Sequence, residues 1–242
     1  MLPDLSVIVP VRNEESNIAP LVRETVAALT GVFDFEILYI NDGSTDDTPV
    51  VLRELRAEVP QLRILTHPRA YGQSAAVHSG VVHAHKTWIA VLDGDGQNDP
   101  ADLPRLWEWI SAQRDDTPVM AIGRRARRQD TLWRKFCSDL ARRARKAILG
   151  DAVPDSGCGI KIIHRDVFLS LPYFDHMHRF MPTLMLRMGG RIASIPVNHR
   201  ARATGQSKYG TLDRALAGIW DLMGVMWLKH RSKIRTVREE AA

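Results

Sequence analysis

Strand-like and helix-like segments alternate along the first half of this chain, and this alternation constrains its fold more than any other feature. Short apolar runs typical of buried strands occupy residues 5–11, 35–42, 62–67 and 87–93. Between them, helical spacing of apolar side chains occurs in residues 15–30, 45–59 and 73–85. Such alternation predicts an α/β fold built on a doubly wound, mostly parallel sheet.

The second half is less regular. A further strand is predicted at residues 118–123, and the stretches 155–171 and 191–202 suggest more strands and a short helix. An apolar helix, centred on residues 215–228, follows them. We therefore expect one catalytic domain over residues 1–212 and a separate amphipathic segment over residues 213–242.

Composition limits the class of protein. At 242 residues, with 45% apolar and 25% charged residues, the chain has the composition of a globular protein. Its two cysteines provide no disulfide framework, which indicates a reducing cytoplasm. No apolar run reaches the ~20 residues of a membrane-spanning helix, so we expect a soluble or peripheral protein.

Charge is distributed unevenly. Acidic residues outnumber basic ones in the first 120 residues, whereas residues 123–150 hold ten Arg and Lys against two Asp. Because the net charge of +5 comes from this second half, we expect an anionic partner there.

Polar residues follow two of the predicted strands. Asn41 and Asp42 end one strand, and the stretch "IAVLDGDGQNDP" places Asp93 and Asp95 after another. In open parallel sheets, ligands bind outside the carboxyl ends of the strands. Crowded carboxylates at such an edge suit a hard divalent cation such as Mg²⁺ or Mn²⁺, although a plain Asp/Gly turn is the alternative.

Six motifs resemble glycosyltransferase family 2, and most closely its polyprenyl-phosphate branch, the dolichol-phosphate mannosyltransferase-like enzymes. They are "VIVPVRNEESN", "NDGSTDDT", "YGQSAAVHSG", "DGDGQ", "DSGCGIKIIHRDVF" and "GQSKYG", in the family's order and approximate spacing over residues 4–212. The resemblance implies a Rossmann-like GT-A fold, a nucleotide-sugar donor (UDP or GDP), a divalent metal (Mg²⁺ or Mn²⁺) and inversion at the anomeric carbon.

The resemblance also implies the donor site. Asp93, Asp95 and Gln97 match the family's Asp-x-Asp-x-Gln and would hold the metal. One departure concerns the nucleotide, because Asn41 stands where the family usually has an acid. The residues expected to bind the donor are Pro10, Asn13, Glu14, Asp42, Gly72, Gln73, Asp93, Arg202 and Lys208.

The basic segment supplies the expected acceptor site. Family members that glycosylate a lipid phosphate place an Arg after a strand end and Arg-x-x-x-Ser on a following helix, which correspond here to Arg125, Arg134 and Ser138. Guanidinium groups suit phosphate oxygens. The expected catalytic set is Asp95, Arg125, Arg134 and Lys208, with Arg202 and Lys208 on a loop that closes over the donor.

Two apolar and basic segments predict contact with a membrane surface. Residues 132–149 and 215–228 combine aromatic and aliphatic side chains with flanking cations, a pattern typical of interfacial helices. The alternative is that both are core helices of the domain or of a dimer. We expect a cytoplasmic enzyme that is peripheral on the inner face of the cell membrane.

The expected reaction moves one sugar from a nucleotide diphosphate to a polyprenyl phosphate of the undecaprenyl or dolichyl type. Its product would be a lipid-linked sugar donor for cell-envelope glycan or lipid A modification. One alternative is a hydroxyl acceptor with Asp155 as the base; a remote one is a nucleic-acid-binding protein, although nucleic acid is not an expected partner. The sugar, the nucleotide, the polyprenol length and any homo-oligomer or membrane-protein partner stay open.

Overall fold

The computed structural model describes residues 2–125, 149–150, 153–200 and 211–231, and within the last range it describes side chains at 218 and 220–231. The strands are β1 (Asp4–Val11), β2 (Asp34–Asp42), β3 (Leu62–His67), β4 (Trp88–Val91), β5 (Val119–Arg125), β6 (Lys161–His164) and β7 (Arg191–Val197). The α-helices are α1 (Glu15–Leu29), α2 (Thr48–Glu58), α3 (Gln73–Val82), α4 (Leu103–Ser111), α5 (Arg165–Ser170), α6 (Met181–Arg187) and α7 (Thr211–Arg231). Short 3₁₀ turns lie at Pro100–Asp102 and Met177–Arg179.

The strands form one seven-stranded sheet in the order β3-β2-β1-β4-β6-β5-β7. Strands β1 to β4 are mutually parallel, as are β5 and β7, while β6 runs antiparallel to both of its neighbours. The prediction of an α/β fold with a mostly parallel sheet is therefore confirmed.

Both faces of the sheet are buried, which is why its strands read as continuous apolar runs. In β1, Val7 and Val9 belong to one hydrophobic core layer, and Ile8 between them belongs to the layer on the other face. Helices α1, α2 and α4 cover the first layer, and helices α3, α5 and α6 cover the second.

Most predicted elements lie within a few residues of the observed ones, but helix α4 is not among the predicted elements. Its first turn contains Pro104, and its buried side chains are Leu103, Leu106 and Ile110. This spacing of three and four residues fits a helix face, but it follows an Asp-rich stretch that looks like a continuous loop.

Parallel pairing brings the site elements together. Pro10 lies beside Ile40, and Val11 lies beside Asn41 in the register of β1 and β2, while β4 flanks β1 on its other side. The polar residues that follow β1, β2 and β4 therefore share one edge of the sheet.

Several predicted features lie outside the described residues. They are Arg134, Ser138, Arg202, Lys208 and nearly all of the interfacial segment 132–149. The division at residue 212 falls inside the first turn of α7, and it stays a prediction.

Candidate active site

The loop after β4 carries the two predicted metal-binding carboxylates. Asp93 accepts a hydrogen bond from Gln73 Nε2 at 2.8 Å, and Asp95 accepts one from the backbone N–H of Gln97 at 3.1 Å. Position 94 has room for glycine but not for a larger residue, because a Cβ there would lie 2.3 Å from Val11 Cγ1 and 2.9 Å from the Pro10 carbonyl oxygen. The absent side chain lets this loop pack against the end of β1.

A buried lysine lies behind Asp93. Burial raises the pKa of Asp93, as does the neighbouring Asp95 charge, while Lys161 and the hydrogen bonds from Asn98 and Gln73 oppose that rise. Lys161 is 4% exposed, and burial lowers its pKa against the attraction of Asp93. Its Nζ donates a hydrogen bond to the Cys158 carbonyl. The sheet thus holds a countercharge behind residues 93–97, which we call the metal loop because they include the predicted metal ligands.

The donor atoms of this loop fit a hard divalent cation that is only partly enclosed by protein. Two carboxylates follow one strand, and their mutual repulsion contributes to the raised pKa of Asp93. Within the described residues, no group of three His, Cys, Asp or Glu side chains is arranged to hold a metal ion. Asp93, Asp95 and the Gln97 amide would therefore leave coordination positions for water and diphosphate oxygens, as Mg²⁺ and Mn²⁺ sites commonly do.

Asp42 holds the loop between β3 and α3. Its Oδ1 accepts from the backbone N–H of Tyr71 at 2.8 Å and lies 2.8 Å from His67 Nδ1, and its Oδ2 accepts from the Gly72 N–H at 2.8 Å. The backbone of Gly72 has a φ of +94°, a conformation that favours glycine. Asp42 therefore shapes the edge of the predicted nucleotide site, and its contact with the nucleotide itself stays a prediction.

Asn13 and Glu14 fasten the loop after β1 to the loop after β2. The Asn13 side chain donates to Thr45 Oγ1 at 3.2 Å and accepts from the Thr45 N–H at 2.8 Å. The Glu14 N–H donates to Thr48 Oγ1 at 3.0 Å. Asn13 has a φ of 55°, a left-handed conformation that these contacts hold in place.

Arg125 and Asp155 form a two-pronged ion pair. Arg125 Nε donates to Asp155 Oδ2 and Arg125 Nη2 donates to Asp155 Oδ1, both at 2.7 Å. The side chains are 19% and 10% exposed, and the hydrogen bond to Asp155 raises the pKa of Arg125. The Nε and Nη2 edge of the Arg125 guanidinium, which is predicted to bind phosphate, thus binds Asp155 instead. Both carboxylate oxygens of Asp155, the alternative catalytic base, accept hydrogen bonds from Arg125.

Residues directly after β7 are anchored to the metal loop, which the sequence analysis missed. His199 forms a backbone bridge with Asn98, and the Arg200 N–H donates to the Gln97 carbonyl at 3.0 Å. The Arg200 side chain pairs with Glu24 at 2.6 Å and with Asp99 at 3.1 Å. His199 and Arg200, which precede the segment predicted to close over the donor, therefore lie beside the loop of Asp93 and Asp95.

The structure places the predicted residues in three groups. The first group lies at the carboxyl edge of the sheet and comprises Asp93, Asp95, Gln97, Gln73 and Gly72. Pro10 meets Gly94 at the same edge. Asp42, Asn13 and Glu14 shape the loops around this edge. Arg125 lies on the Asp155 side. Lys161 was the detectable omission, since a lysine inside the apolar run "IKIIH" signals a functional position.

Sequence comparison gives a family and two well-matched relatives. The sequence model of the family described as "Glycosyl transferase family 2" matches residues 6–171. Dodecaprenyl-phosphate galacturonate synthase of Rhizobium johnstonii is 36% identical over 229 residues, covering 93% of this chain and 67% of that protein. Undecaprenyl-phosphate 4-deoxy-4-formamido-L-arabinose transferase of Enterobacter sp. (strain 638) is 34% identical over 223 residues, covering 90% of this chain and 66% of that protein. This chain thus spans about two thirds of their length.

Solved structures confirm the GT-A fold. Glucosyl-3-phosphoglycerate synthase from Mycobacterium tuberculosis, in complex with Mn²⁺, UDP and glucosyl-3-phosphoglycerate, has a TM-score of 0.67 at 19% identity, covering 94% of this chain and 80% of that one. Its complex with Mg²⁺ and UDP has a TM-score of 0.68 at 18% identity, covering 94% and 79%. At these identities the likeness concerns the fold.

The expected resemblance is confirmed at the level of family and branch, because the names of both relatives include a polyprenyl phosphate. The expectation of a glycosyltransferase is confirmed with it. Across the part of the chain that the structure describes, no helix has the length and apolar character needed to cross a membrane.

Proposed function

The chain belongs to glycosyltransferase family 2, and from that premise we propose that it transfers one sugar from a nucleotide diphosphate to polyprenyl phosphate. The observation that carries this proposal is the Arg125–Asp155 pair. A hydroxyl acceptor needs a carboxylate base, and both oxygens of Asp155, the candidate base, are held by Arg125 at 2.7 Å. An acceptor phosphate is already anionic and needs no such base.

The donor site is the edge formed by Asp93, Asp95 and Gln97. A divalent cation there, Mg²⁺ or Mn²⁺, would neutralise the charge that develops on the departing diphosphate. Gln73 orients Asp93 from the start of α3 at 2.8 Å. Lys161 adds positive charge behind it. The nucleotide, UDP or GDP, would extend along the loops that Asn13, Glu14 and Asp42 hold together.

In the proposed reaction an oxygen of the acceptor phosphate attacks the anomeric carbon. The bond from that carbon to the diphosphate oxygen breaks, and the nucleoside diphosphate leaves with the electron pair. Configuration at the anomeric carbon is inverted, and no proton is transferred. Arg125, Arg134, Ser138 and Lys208 are the proposed polar contacts around these phosphates, and the chemistry rests on positioning and electrostatics.

The proposed acceptor is a lipid, and the exposed face of α7 supports a location at the membrane surface. Trp220 and Trp227 are 71% and 60% exposed, and Met223 lies between them on the same helix face. On the opposite face Val225 is buried against Leu149 and Phe180. His230 and Arg231 follow the apolar stripe. This arrangement suits an anionic cytoplasmic leaflet, where aromatic rings lie among headgroups and cations meet lipid phosphates.

The test is a matched pair of acceptors. Purified protein with Mn²⁺ or Mg²⁺ is given a panel of UDP- and GDP-sugars with either polyprenyl phosphate or the corresponding polyprenol, which ends in a hydroxyl. Products are separated by thin-layer chromatography and identified by mass spectrometry. The Asp95→Asn variant serves as the enzyme control.

We expect a polyprenyl phosphosugar with one donor class and no product from the polyprenol. Transfer to polyprenol, with polyprenyl phosphate inert, would overturn the proposal. Salt-sensitive binding of DNA or RNA without turnover of any nucleotide sugar would instead support the nucleic-acid alternative.

A further inference from the structure

Residues 173–180, which we name the bridging segment, lie between helix α7 and the start of helix α3. On the α7 side, His176 Nδ1 lies 2.9 Å from Asp221 Oδ2. Phe180 is buried with Val225, and Phe174 packs against the same cluster. The bridging segment is therefore joined to α7 by a polar contact and by apolar packing.

On its other side the bridging segment holds the first turn of α3. His178 Nδ1 lies 2.7 Å from Ser74 Oγ, and the His178 N–H donates to that oxygen at 3.3 Å. Ser74 is 1% exposed. Burial lowers the pKa of His178 to about 3. The imidazole is thus neutral at physiological pH, and its bond to the hydroxyl is a neutral one.

The contact with Ser74 leads directly to the metal loop. The preceding residue, Gln73, donates from Nε2 to Asp93 Oδ1 at 2.8 Å. Three side-chain hydrogen bonds, joined by the backbone between His176 and His178 and between Ser74 and Gln73, therefore link Asp221 on α7 to Asp93. Packed and hydrogen-bonded elements of this kind transmit displacement because the protein interior is close-packed.

The backbone of the bridging segment is held in an uncommon conformation. His176 has a φ of 62°, in the left-handed region. Its N–H donates to its neighbour Asp175 Oδ1 at 2.8 Å, while its ring meets Asp221. A residue with a Cβ stays in this region only when its surroundings hold it there. The contact with α7 thus contributes to the shape of the segment.

We propose that the bridging segment positions Asp93 from helix α7, so that seating the outer face of α7 on a lipid surface tightens binding of the metal ion and nucleotide. Four residues in this arrangement are positioning residues, because they act through Gln73 and do not touch the substrate. They are His176, His178, Ser74 and Asp221. The lipid part of the inference rests on the proposed function, whereas the positioning of Asp93 does not.

The first experiment measures binding of Mn²⁺ with UDP in the absence of lipid, by electron paramagnetic resonance of Mn²⁺ and by calorimetry. Ser74→Ala removes the hydroxyl that takes part in both hydrogen bonds with His178. Asp221→Ala removes the carboxylate that meets His176 Nδ1. The matched control is Asp166→Ala, whose carboxylate is 77% exposed. Thermal unfolding of each variant verifies that it is folded.

We expect Ser74→Ala to weaken Mn²⁺·UDP binding by about tenfold, the effect of losing buried hydrogen bonds. Asp221→Ala should weaken it by about threefold, and Asp166→Ala should bind as the original protein does. Normal Mn²⁺·UDP affinity in both folded bridge variants would overturn the proposal. If either variant does not fold, His176→Asn takes its place, because asparagine tolerates the left-handed backbone and the change removes the ring that meets Asp221. A weakening of about threefold is expected of it as well.

The second experiment adds vesicles that contain anionic lipid. Coupling between two sites is reciprocal, so vesicles should tighten Mn²⁺·UDP binding and Mn²⁺·UDP should tighten vesicle binding by the same factor, about threefold. Asp221→Ala should retain vesicle binding and lose this mutual effect. Vesicle binding that leaves Mn²⁺·UDP affinity unchanged would overturn the lipid coupling. Absence of vesicle binding would instead contradict the proposed membrane location, and the lipid-free variants would still decide whether the bridge positions Asp93.

Discussion

At the scale of single residues, the site depends on charges held close to one another. Burial raises the pKa of Asp93, and repulsion from the neighbouring Asp95 adds to the rise. Lys161 behind the loop and the hydrogen bond from Gln73 offset part of this cost. Such a cluster of buried, closely spaced charges is typical of a functional site.

Substitution of Asp95 by Asn should remove turnover while leaving the fold intact. The change preserves shape and relieves repulsion with Asp93, so the melting temperature should stay within a few degrees. Turnover should fall by about a hundredfold or more because the diphosphate loses its charge partner. Initial rates and thermal unfolding measure both effects, with the exposed Asp116→Asn as the control. Turnover near that of the control would show that Asp95 does not bind the metal.

The Arg125–Asp155 pair distinguishes a structural carboxylate from a base. If Asp155 only holds Arg125, Asp155→Asn and Arg125→Lys should each lower kcat modestly, and together they should cost little more than either alone. Loss of a true base costs ~10²–10⁴-fold, with no comparable loss for Arg125→Lys. Rates are measured at saturating donor against acceptor concentration. An inactive Asp155→Asn enzyme that still binds nucleotide, beside a nearly intact Arg125→Lys enzyme, would contradict the phosphate acceptor.

Acid should destabilise the protein partly through His178. Burial is the main cause that lowers its pKa to about 3, and charges on Lys161, Arg179 and His176 add to the effect. The unfolded chain therefore binds a proton that the folded chain does not, and stability falls as pH drops below about 6.5. Between pH 7 and 5 His178→Gln should lose about 2 kcal/mol less unfolding free energy than the original protein. Denaturant titrations at both pH values measure this, and parallel losses would contradict it.

At the scale of elements, α7 has two faces with different surroundings. Val225 is buried, and Lys229 Nζ donates to the Leu149 carbonyl at 2.7 Å, whereas Trp220, Met223 and Trp227 are exposed. A helix that buries one side and exposes tryptophans on the other has the pattern of an interfacial element.

Replacement of both Trp220 and Trp227 by Ser should weaken binding to anionic vesicles by about tenfold or more, because each ring loses its contact with the lipid. Folding should be unaffected, since neither ring is buried in the protein. Vesicle flotation at low and high salt measures the effect. Val50→Ser, which changes an exposed apolar residue on α2 that is 40% accessible, is the control. Unchanged flotation of the tryptophan variant would contradict contact between lipid and the tryptophan face of α7.

At the scale of the whole molecule, the residues of the predicted nucleotide site are spread over loops that follow several strands of one sheet. Asn13 meets Thr45 between the first two loops, and Gln73 meets Asp93 between two others. A ligand that spans these loops binds only the assembled sheet and should therefore stabilise the whole fold.

Mn²⁺ with UDP at about a hundred times its dissociation constant should stabilise the protein by about 2.7 kcal/mol. For a chain of this size the melting temperature should rise by roughly 5 to 10 °C. UDP alone in excess EDTA should produce little shift, and restoring Mg²⁺ or Mn²⁺ should recover it. Differential scanning fluorimetry measures these values, and a full shift in EDTA would contradict metal-assisted donor binding. GDP in place of UDP tests the nucleotide in the same assay.

The sequence by itself determined the α/β architecture and the edge of the sheet at which the predicted metal-binding carboxylates lie. Apolar runs of strand length, buried on both faces, are local patterns, and the carboxyl ends of parallel strands meet wherever such runs pair. The sequence therefore assigns Asp93 and Asp95 to one edge of the sheet. The membership of a family followed from six local motifs in order.

Only the tertiary structure decided which partners these residues meet. Asp42 contacts His67, Tyr71 and Gly72 about 25 to 30 positions away, Arg125 meets Asp155, and Ser74 meets His178 at a separation of 104 residues. Hydrogen bonds select partners by distance and angle, which depend on strand register and helix packing across the whole chain. Local periodicity carries no information about such long-range pairs, so the locked Asp155 and the bridge from α7 to Asp93 emerged only when the sheet was assembled.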